Sequence, residues 1–315
     1  MAEGMPDLIQ RAAARLQKAS AATVASVGKT CVQERPAASD LPPPASKIEM
    51  AHSGLAFRQR VVTVSPTTLA ANGIVLPGSG FSRTVEEFRA IKRHVLANAL
   101  RARGAPSAGV NRIILVTSAK PGDGKTFAAI NLALALAYEK DTRVLLMDAD
   151  AYRQSLLTYL GISADGGWID LVSRASVTPV DLMLQTNVPN LSVLPAGKER
   201  VEIPELMSSR HLKELLDALV REDPGRYIII DSLPCLTSTE PSILAALAGQ
   251  TLFVVAAHQT SREEIESSLR LLNASPSVNL ILNKAEPVLT EQFKGHEYAY
   301  GYPQYADKGA SSAVS

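Results

Sequence analysis

The segment Ile113–Leu136 constrains the fold of this chain more than any other stretch. It consists of an apolar run, a turn that ends in Gly124, Lys125 and Thr126, and a second, longer apolar run. A buried strand, a Gly-rich turn and a helix in this order form the tail of the phosphate-binding motif G-x-x-x-x-G-K-[ST], with Ala119 in place of the first Gly. The flanking strand and helix favour this interpretation over a chance Gly-Lys-Thr turn.

The residue types in this loop fit the chemistry of a nucleotide phosphate chain. Glycines let backbone N–H groups point at phosphate oxygens, and the positive end of the following helix adds to the attraction. Lys125 can reach the β- and γ-phosphates, and the Thr126 hydroxyl can coordinate Mg²⁺. We therefore predict that the loop binds the phosphates of a nucleotide together with Mg²⁺. The predicted nucleotide-binding residues are Pro121, Gly122, Asp123, Gly124, Lys125, Thr126 and Phe127.

From Asn111 onward, short apolar runs alternate with segments of helical periodicity. The runs lack polar alternation, which is typical of parallel strands that are buried on both faces of a sheet. This pattern predicts an α/β fold with a mostly parallel, doubly wound sheet. One predicted helix covers Asp150–Leu160, and another covers residues 84–103.

Carboxylates follow two of the predicted strands. Asp148 and Asp150 come after the strand Val144–Met147, and Asp231 follows the strand Tyr227–Ile230. In a parallel sheet these side chains lie at the edge that also carries the phosphate-binding loop. Each one alone could instead cap a helix or belong to a turn. Together they predict a site where Asp231 holds Mg²⁺ through a water, while Asp148 and Asp150 serve the metal and an attacking hydroxyl.

Composition disfavours several other classes of protein. The 315 residues include 32 basic and 31 acidic side chains, a net charge of +1, so nothing global favours nucleic acid or an anionic membrane. The two cysteines form no metal or disulfide pattern, which fits a reducing cytosol. The first residues lack a secretory h-region, and no apolar run approaches the ~18 residues that span a bilayer. We expect a cytoplasmic protein, and any membrane association must then go through a partner.

The chain divides into four parts by composition. The predicted parts are a short amphipathic helix over 1–18, a linker and extended arm over 19–80, a nucleotide-binding domain over 81–284 that begins with the helix 84–103, and a flexible Tyr-rich tail over 285–315. The first helix could dock on protein or lie on a membrane surface. The tail alternates tyrosine with Ala, Gly and Pro, which fits neither a helix nor a buried strand.

Several motifs together resemble one family. They are VTSAKPGDGKTFAAINLALALA (Val116–Ala137), VLLMDAD (Val144–Asp150), YIIIDSLP (Tyr227–Pro234), EEFRAIKRHVLANA (Glu86–Ala99) and the Tyr-rich tail. As a set they resemble the bacterial tyrosine kinases of exopolysaccharide synthesis, and more closely the tyrosine autokinase associated with exosortase loci. The resemblance covers about residues 80–305. It implies a phosphate-loop NTPase of the Min- and Par-like group that acts as a protein-tyrosine autokinase.

The resemblance also implies roles for individual residues. The implied catalytic residues are Lys125, Asp148 and Asp150; the implied metal ligands are Thr126, Asp148 and Asp231; the implied interface residues are Glu86, Arg89 and Lys92; and the implied phosphoacceptors are Tyr298, Tyr300, Tyr302 and Tyr305. In this family the subunits form rings in which one tail enters the neighbouring active site. The family also implies a membrane activator of the chain-length-determinant type.

The sequence departs from the family pattern at four places. Lys92 replaces an Arg of the interface helix, and a Lys cannot form the bidentate pair that an Arg forms. Tyr152 stands where an Arg is usual, and Leu233 replaces a Pro. Lys120 occupies the position of the signature lysine of Min- and Par-type ATPases, although a solvated surface lysine is the simpler interpretation.

These departures keep two alternatives open. The first is a Min- or Par-type switch ATPase, which Lys120 favours and which Pro121 and the tyrosine tail disfavour. The second is a regulatory scaffold that binds ATP without phosphoryl transfer.

Overall fold

The computed structural model describes residues 60–76, 82–101, 109–174, 176–197 and 203–285. The amphipathic helix predicted over 1–18 and the tail tyrosines lie outside the described residues. No helix in the described ranges is long and apolar enough to cross a membrane.

A single mixed sheet organises the described residues. Its strands are β1 (Val61–Val62), β2 (Ile113–Ser118), β3 (Arg143–Asp148), β4 (Leu184–Thr186), β5 (Leu191–Leu194), β6 (Arg226–Asp231), β7 (Gln250–Ala256) and β8 (Val278–Asn283). The spatial order is β1-β4-β5-β3-β6-β2-β7-β8. Every neighbouring pair is parallel except β4 and β5. The prediction of a mostly parallel α/β sheet is therefore confirmed.

Helices cover both faces of this sheet. They are α1 (Pro66–Ala71), α2 (Arg83–Arg101), α3 (Lys125–Ala137), α4 (Ser155–Leu160), α5 (Trp168–Ser173), α6 (Pro179–Leu182), α7 (Ile203–Met207), α8 (Arg210–Glu222), α9 (Glu240–Leu247) and α10 (Arg262–Leu271), with one 3₁₀ turn at Val110–Arg112. Two apolar cores result, one on each side of the sheet. The predicted helix over 84–103 is observed as α2.

Burial on both faces explains why the central strands are continuous apolar runs. All residues of β2 and β7 are buried, and β3 and β6 are buried after their first residue. α3 is also buried along nearly its whole length, because it packs between the sheet and α2. The strand and the helix on either side of the phosphate-binding loop are thus held inside the domain.

Residues 61–76 differ from the extended arm that their Pro and Gly content predicts. β1 joins the edge of the sheet beside β4, and Pro66 begins α1 after the cap Ser65. Leu69 and Ile74 are buried in the core that α3 also contributes to. The segment predicted as an extended arm with turns therefore also contains the helix α1, which this prediction does not include.

Two further predictions need correction. The helix predicted over Asp150–Leu160 begins only at Ser155, because the chain makes a turn in which Gln154 has a φ of 49°. The strand β4 was not expected, and it runs antiparallel to β5. β4 has only three residues and no long apolar run, so its sequence does not indicate a strand. Its extended conformation depends on pairing with β5.

The topology brings the polar strand ends together. β3 and β6 are adjacent and in register, so that Asp148 lies directly beside Asp231. β2 pairs with the other side of β6, and the phosphate-binding loop leaves its carboxyl end. Loop and carboxylates therefore share one edge of the sheet, as the sequence predicts.

Candidate nucleotide site

The phosphate-binding loop connects β2 to α3 and depends on two left-handed glycines. Gly122 has a φ of 91° and Gly124 a φ of 98°, a region that side chains with a Cβ rarely adopt. At Gly124 there is also no room, because a Cβ would lie 2.0 Å from the Nδ2 atom of Asn283. The loop therefore requires glycine at this position for both conformation and space.

The loop presents donors suited to an anion. α3 begins at Lys125 without any side-chain cap, and its first N–H groups lie at the positive end of a 13-residue helix. Among the described residues, no backbone carbonyl or side chain accepts a hydrogen bond from the N–H groups of residues 122–127. These donors are free to hold phosphate oxygens.

The three predicted carboxylates lie close to this loop and are fully buried. Asp148 accepts a hydrogen bond from the backbone N–H of Asp150 at 3.0 Å. Asp150 accepts one from the backbone N–H of Arg153 at 3.2 Å. The Nζ atom of Lys125 is 3.7 Å from Oδ2 of Asp150, so the loop lysine brings a positive charge to this cluster.

Three carboxylate oxygens in this cluster have no hydrogen-bond partner among the described residues: Oδ2 of Asp148 and both oxygens of Asp231. Burial raises the pKa of Asp148 well above its usual range, and the neighbouring charge of Asp231 raises it further. Burial also raises the pKa of Asp231 to about 6, against the charge of Lys125 and the nearby Thr126 hydroxyl. Buried acceptors without donors are costly, which indicates that a ligand completes this site.

These oxygens fit Mg²⁺ better than a metal that needs a full set of protein ligands. Within the described ranges, no group of three or more His, Cys, Asp or Glu side chains is arranged to hold a metal ion by itself. Mg²⁺ is held by one or two carboxylates and completes its shell with phosphate and water oxygens. Asp148, Asp231 and the Thr126 hydroxyl are the groups that would hold it.

Comparison with known proteins decides between the possible classes of nucleotide site. The ParA family model, described as the NUBPL iron-transfer P-loop NTPase, matches residues 109–281. The tyrosine-protein kinase CpsD of Streptococcus agalactiae serotype Ia is 30% identical over 198 residues, which cover 61% of this chain and 83% of the relative. The chain belongs to the bacterial tyrosine kinases of the ParA-type P-loop NTPases.

Two other relatives agree with this assignment. The tyrosine-protein kinase ptk of Acinetobacter johnsonii is 34% identical over 182 residues, or 57% of this chain. This chain spans about a quarter of that relative's length, since the match covers 24% of it. The BceF tyrosine kinase domain, a solved structure, superposes with a TM-score of 0.54 at 28% identity, over 64% of this chain and 78% of that domain. A P-loop NTPase domain implies nucleotide binding, typically with Mg²⁺.

Three of the predicted nucleotide-binding residues of the P-loop have side chains directed elsewhere. The Asp123 carboxylate is buried and accepts hydrogen bonds from the Lys120 backbone and from the Thr260 hydroxyl. The ring of Phe127 packs edge-on against Phe88 of α2, with 6.0 Å between the ring centroids. Pro121 is exposed and has no N–H to donate. Asp123 and Phe127 can therefore serve a nucleotide only through their backbone.

Lys120, the candidate signature lysine of the P-loop, is engaged within its own chain. Its Nζ atom donates to both carboxylate oxygens of Glu264 at 3.0 Å and to the carbonyl of Gln259 at 2.6 Å. A role across a subunit interface would require these contacts to break.

The predicted interface residues lie on α2. Glu86 and Arg89 form an ion pair on an exposed face of this helix. Lys92 instead turns to the body of the domain and pairs with Glu139 at 2.6 Å. The departure from Arg at this position thus coincides with an intramolecular partner.

Sequence reasoning missed three residues that support the site. The indole N–H of Trp168 donates to the carbonyl of Asp148 at 3.0 Å, and the ring is fully buried. Thr260 and Asn283 both contact Asp123. A polar residue at the end of the predicted strand β8 was a signal for Asn283, but nothing in the local sequence marks Thr260 or Trp168.

Proposed function

We propose that this chain is an ATP-dependent protein-tyrosine kinase that phosphorylates the tyrosine cluster Tyr298–Tyr305 in a neighbouring copy. The observation that carries the proposal is the set of buried, unpaired oxygens of Asp148 and Asp231 beside the P-loop and Lys125. The relatives named as tyrosine kinases supply the reaction class. The tyrosine-rich tail supplies candidate acceptors close in sequence to the last described strand.

The residues divide the work of phosphoryl transfer. The N–H groups of the P-loop hold the phosphate chain, and Lys125 neutralises charge that builds on the γ-phosphoryl oxygens. Mg²⁺, when bound, would neutralise further phosphate charge and fix the phosphate geometry. The tyrosine oxygen forms the new bond to phosphorus while the bond to the leaving ADP oxygen breaks. Asp150, which lies beside Lys125, takes the hydroxyl proton.

The biological setting rests on the same resemblance. We place the kinase in the control of exopolysaccharide synthesis and export, in a ring-like homo-oligomer that uses α2 as an interface. The chain would act in the cytoplasm and reach the inner membrane through a chain-length-determinant type of activator.

Each added phosphate brings nearly two negative charges to the tail, so we expect ring assembly to weaken as more tail tyrosines are phosphorylated. The size of the oligomer before and after phosphatase treatment measures this effect. Identical oligomer sizes would contradict the expected weakening of the ring.

Phosphorylation mapping tests the kinase proposal directly. The full chain is incubated with ATP and Mg²⁺, and intact mass and tyrosine sites are then measured beside Lys125→Met. The matched control is Lys140→Met, because Lys140 is exposed and lies after the other end of α3. We expect phosphate on residues 298–305 in the wild type and control, and at least ~100-fold less in Lys125→Met.

Two outcomes would point to the alternatives. ADP production without phosphotyrosine, unchanged after truncation at Glu286, would favour a switch ATPase. Binding of ATP with neither product, also in the presence of membranes from the source cell, would favour a scaffold.

A further inference from the structure

Asp123 stands apart from the other carboxylates at this edge of the sheet. It is buried like Asp148 and Asp231, yet both of its carboxylate oxygens are hydrogen-bonded to the chain itself. Because each of its oxygens already has a protein donor, the Asp123 carboxylate needs no ligand to satisfy it, unlike Asp148 and Asp231. Its contacts instead support the P-loop.

The partners of Asp123 come from distant parts of the sequence. Oδ2 accepts a hydrogen bond from the backbone N–H of Lys120 at 3.0 Å, and this bond lies within the P-loop turn. Oδ1 accepts from the Thr260 hydroxyl at 3.0 Å, across 137 residues. The Asp123 carbonyl accepts from Nδ2 of Asn283 at 2.9 Å, across 160 residues. We call Asp123, Thr260 and Asn283 the loop brace.

The loop brace is anchored in the sheet. The Thr260 hydroxyl also accepts from the backbone N–H of Ala256, the last residue of β7. The carbonyl of Asn283, the last residue of β8, accepts from the N–H of Ala257. Two parallel strands thus hold the P-loop at their carboxyl ends, opposite the side where β6 presents Asp231.

A loop with two left-handed glycines needs such support. Glycine loses more conformational freedom on ordering than any other residue, so an unsupported Gly-rich loop would have to be ordered by its ligand. Holding the loop in its binding conformation beforehand removes that cost from the binding free energy. We infer that Thr260 and Asn283 are positioning residues that preorganise the P-loop for the nucleotide phosphates, an inference that rests on the proposed nucleotide-dependent function.

Binding of MgADP to the full chain, measured by calorimetry, tests this inference without requiring phosphoryl transfer. Thr260→Val removes the hydroxyl at nearly constant volume, and we expect the dissociation constant to rise about three- to tenfold, as for the loss of one hydrogen bond. Asn283→Leu should also raise the dissociation constant, because it removes the hydrogen bond to the Asp123 carbonyl. Thr260→Ser keeps the hydroxyl, so its MgADP dissociation constant should stay within about twofold of the wild-type value.

A matched control separates preorganisation from a general loss of stability. Thr251 is the second residue of β7, at the other end of this strand, and its hydroxyl is 2.8 Å from that of Ser275. Thr251→Val therefore removes a comparable hydrogen bond far from the P-loop. We expect it to lower the unfolding midpoint about as much as Thr260→Val, and to leave the MgADP dissociation constant within about twofold of the wild type.

The outcomes distinguish a failure of the loop-brace inference from a failure of the proposed function. Equal affinity of the wild type and Thr260→Val, or equal losses in Thr260→Val and Thr251→Val, would overturn the loop brace alone. A wild-type chain that binds no MgADP would overturn the proposed function, and the inference with it.

Discussion

The two ends of the paired strands β3 and β6 contain carboxylates in opposite situations. At the amino end, Asp223 precedes β6 and is held by the guanidinium of Arg143, which opens β3, and by the N–H of Gly225 at 3.0 Å. At the carboxyl end, Asp148 and Asp231 lie side by side with three oxygens that lack partners among the described residues. The same two strands therefore carry one carboxylate that is paired within the fold and two whose unpaired oxygens we propose to hold a ligand.

The pKa values follow this division. Hydrogen bonding to Arg143 lowers the pKa of Asp223, whereas burial raises the pKa of Asp148 and of Asp231. A group whose charged form is stabilised contributes to folding, and a group whose charged form is destabilised opposes it. This contrast supports the proposal that the functional site lies at the carboxyl end of the two strands.

The largest expected effect comes from removing a charge at the carboxyl end. Asp231→Asn keeps the shape of the side chain but removes a metal-holding oxygen, so we expect tail phosphorylation to fall by about 100-fold. Without nucleotide or metal, the same change should raise the free energy of unfolding by about 1 kcal/mol, because an uncompensated buried charge disappears. Intact mass and urea unfolding measure the two effects. Unchanged phosphorylation, or a less stable ligand-free protein, would contradict the assignment.

The same substitution at the amino end should have the opposite consequences. Asp223→Asn breaks a partly buried charged hydrogen-bond pair, and we expect the free energy of unfolding to fall by about 2 kcal/mol. The MgADP dissociation constant should stay that of the wild type, since the pair lies at the far end of the strands. A variant as stable as the wild type would show that the ion pair does not contribute to folding.

A smaller effect should appear in the pH dependence of stability. Because the pKa of Asp223 is lower in the folded chain than its unfolded value of ~3.9, its stabilising contribution is complete above that value and is lost as the pH falls through the folded pKa. We therefore expect the stability difference between the wild type and Asp223→Asn to narrow as the pH is lowered from 5 towards 3. Urea unfolding of both proteins across this range measures it. A stability difference between the two proteins that does not change with pH would contradict the lowered pKa of Asp223.

Sequence reasoning was reliable where the signal is local. The apolar runs of β2, β3 and β6 and the loop between β2 and α3 carry their own patterns, and their polar ends predicted which carboxylates would meet. Short elements were missed because their partners decide them, as β4 shows. α1 could have been predicted, since Ser65 followed by Pro66 is a common start of a helix.

The supporting contacts of the site could not be predicted from the sequence. Two of the hydrogen-bond partners of Asp123 lie 137 and 160 residues away in the sequence. Hydrogen bonds over such separations leave no periodicity or spacing in a single sequence. The left-handed Gln154 likewise has no local signature, so the sequence does not indicate the turn that follows Asp150.

The buried indole of Trp168 has a practical consequence for optical spectroscopy. It belongs to the only tryptophan of the chain, and its N–H is bonded to the carbonyl of Asp148. Indole emission responds to nearby charge and to changes in hydrogen bonding, and this indole lies beside Asp148, one of the proposed metal-holding residues. The protein therefore carries an intrinsic reporter, and titrating unlabelled protein with nucleotide or metal should change a single, fully assigned emission band.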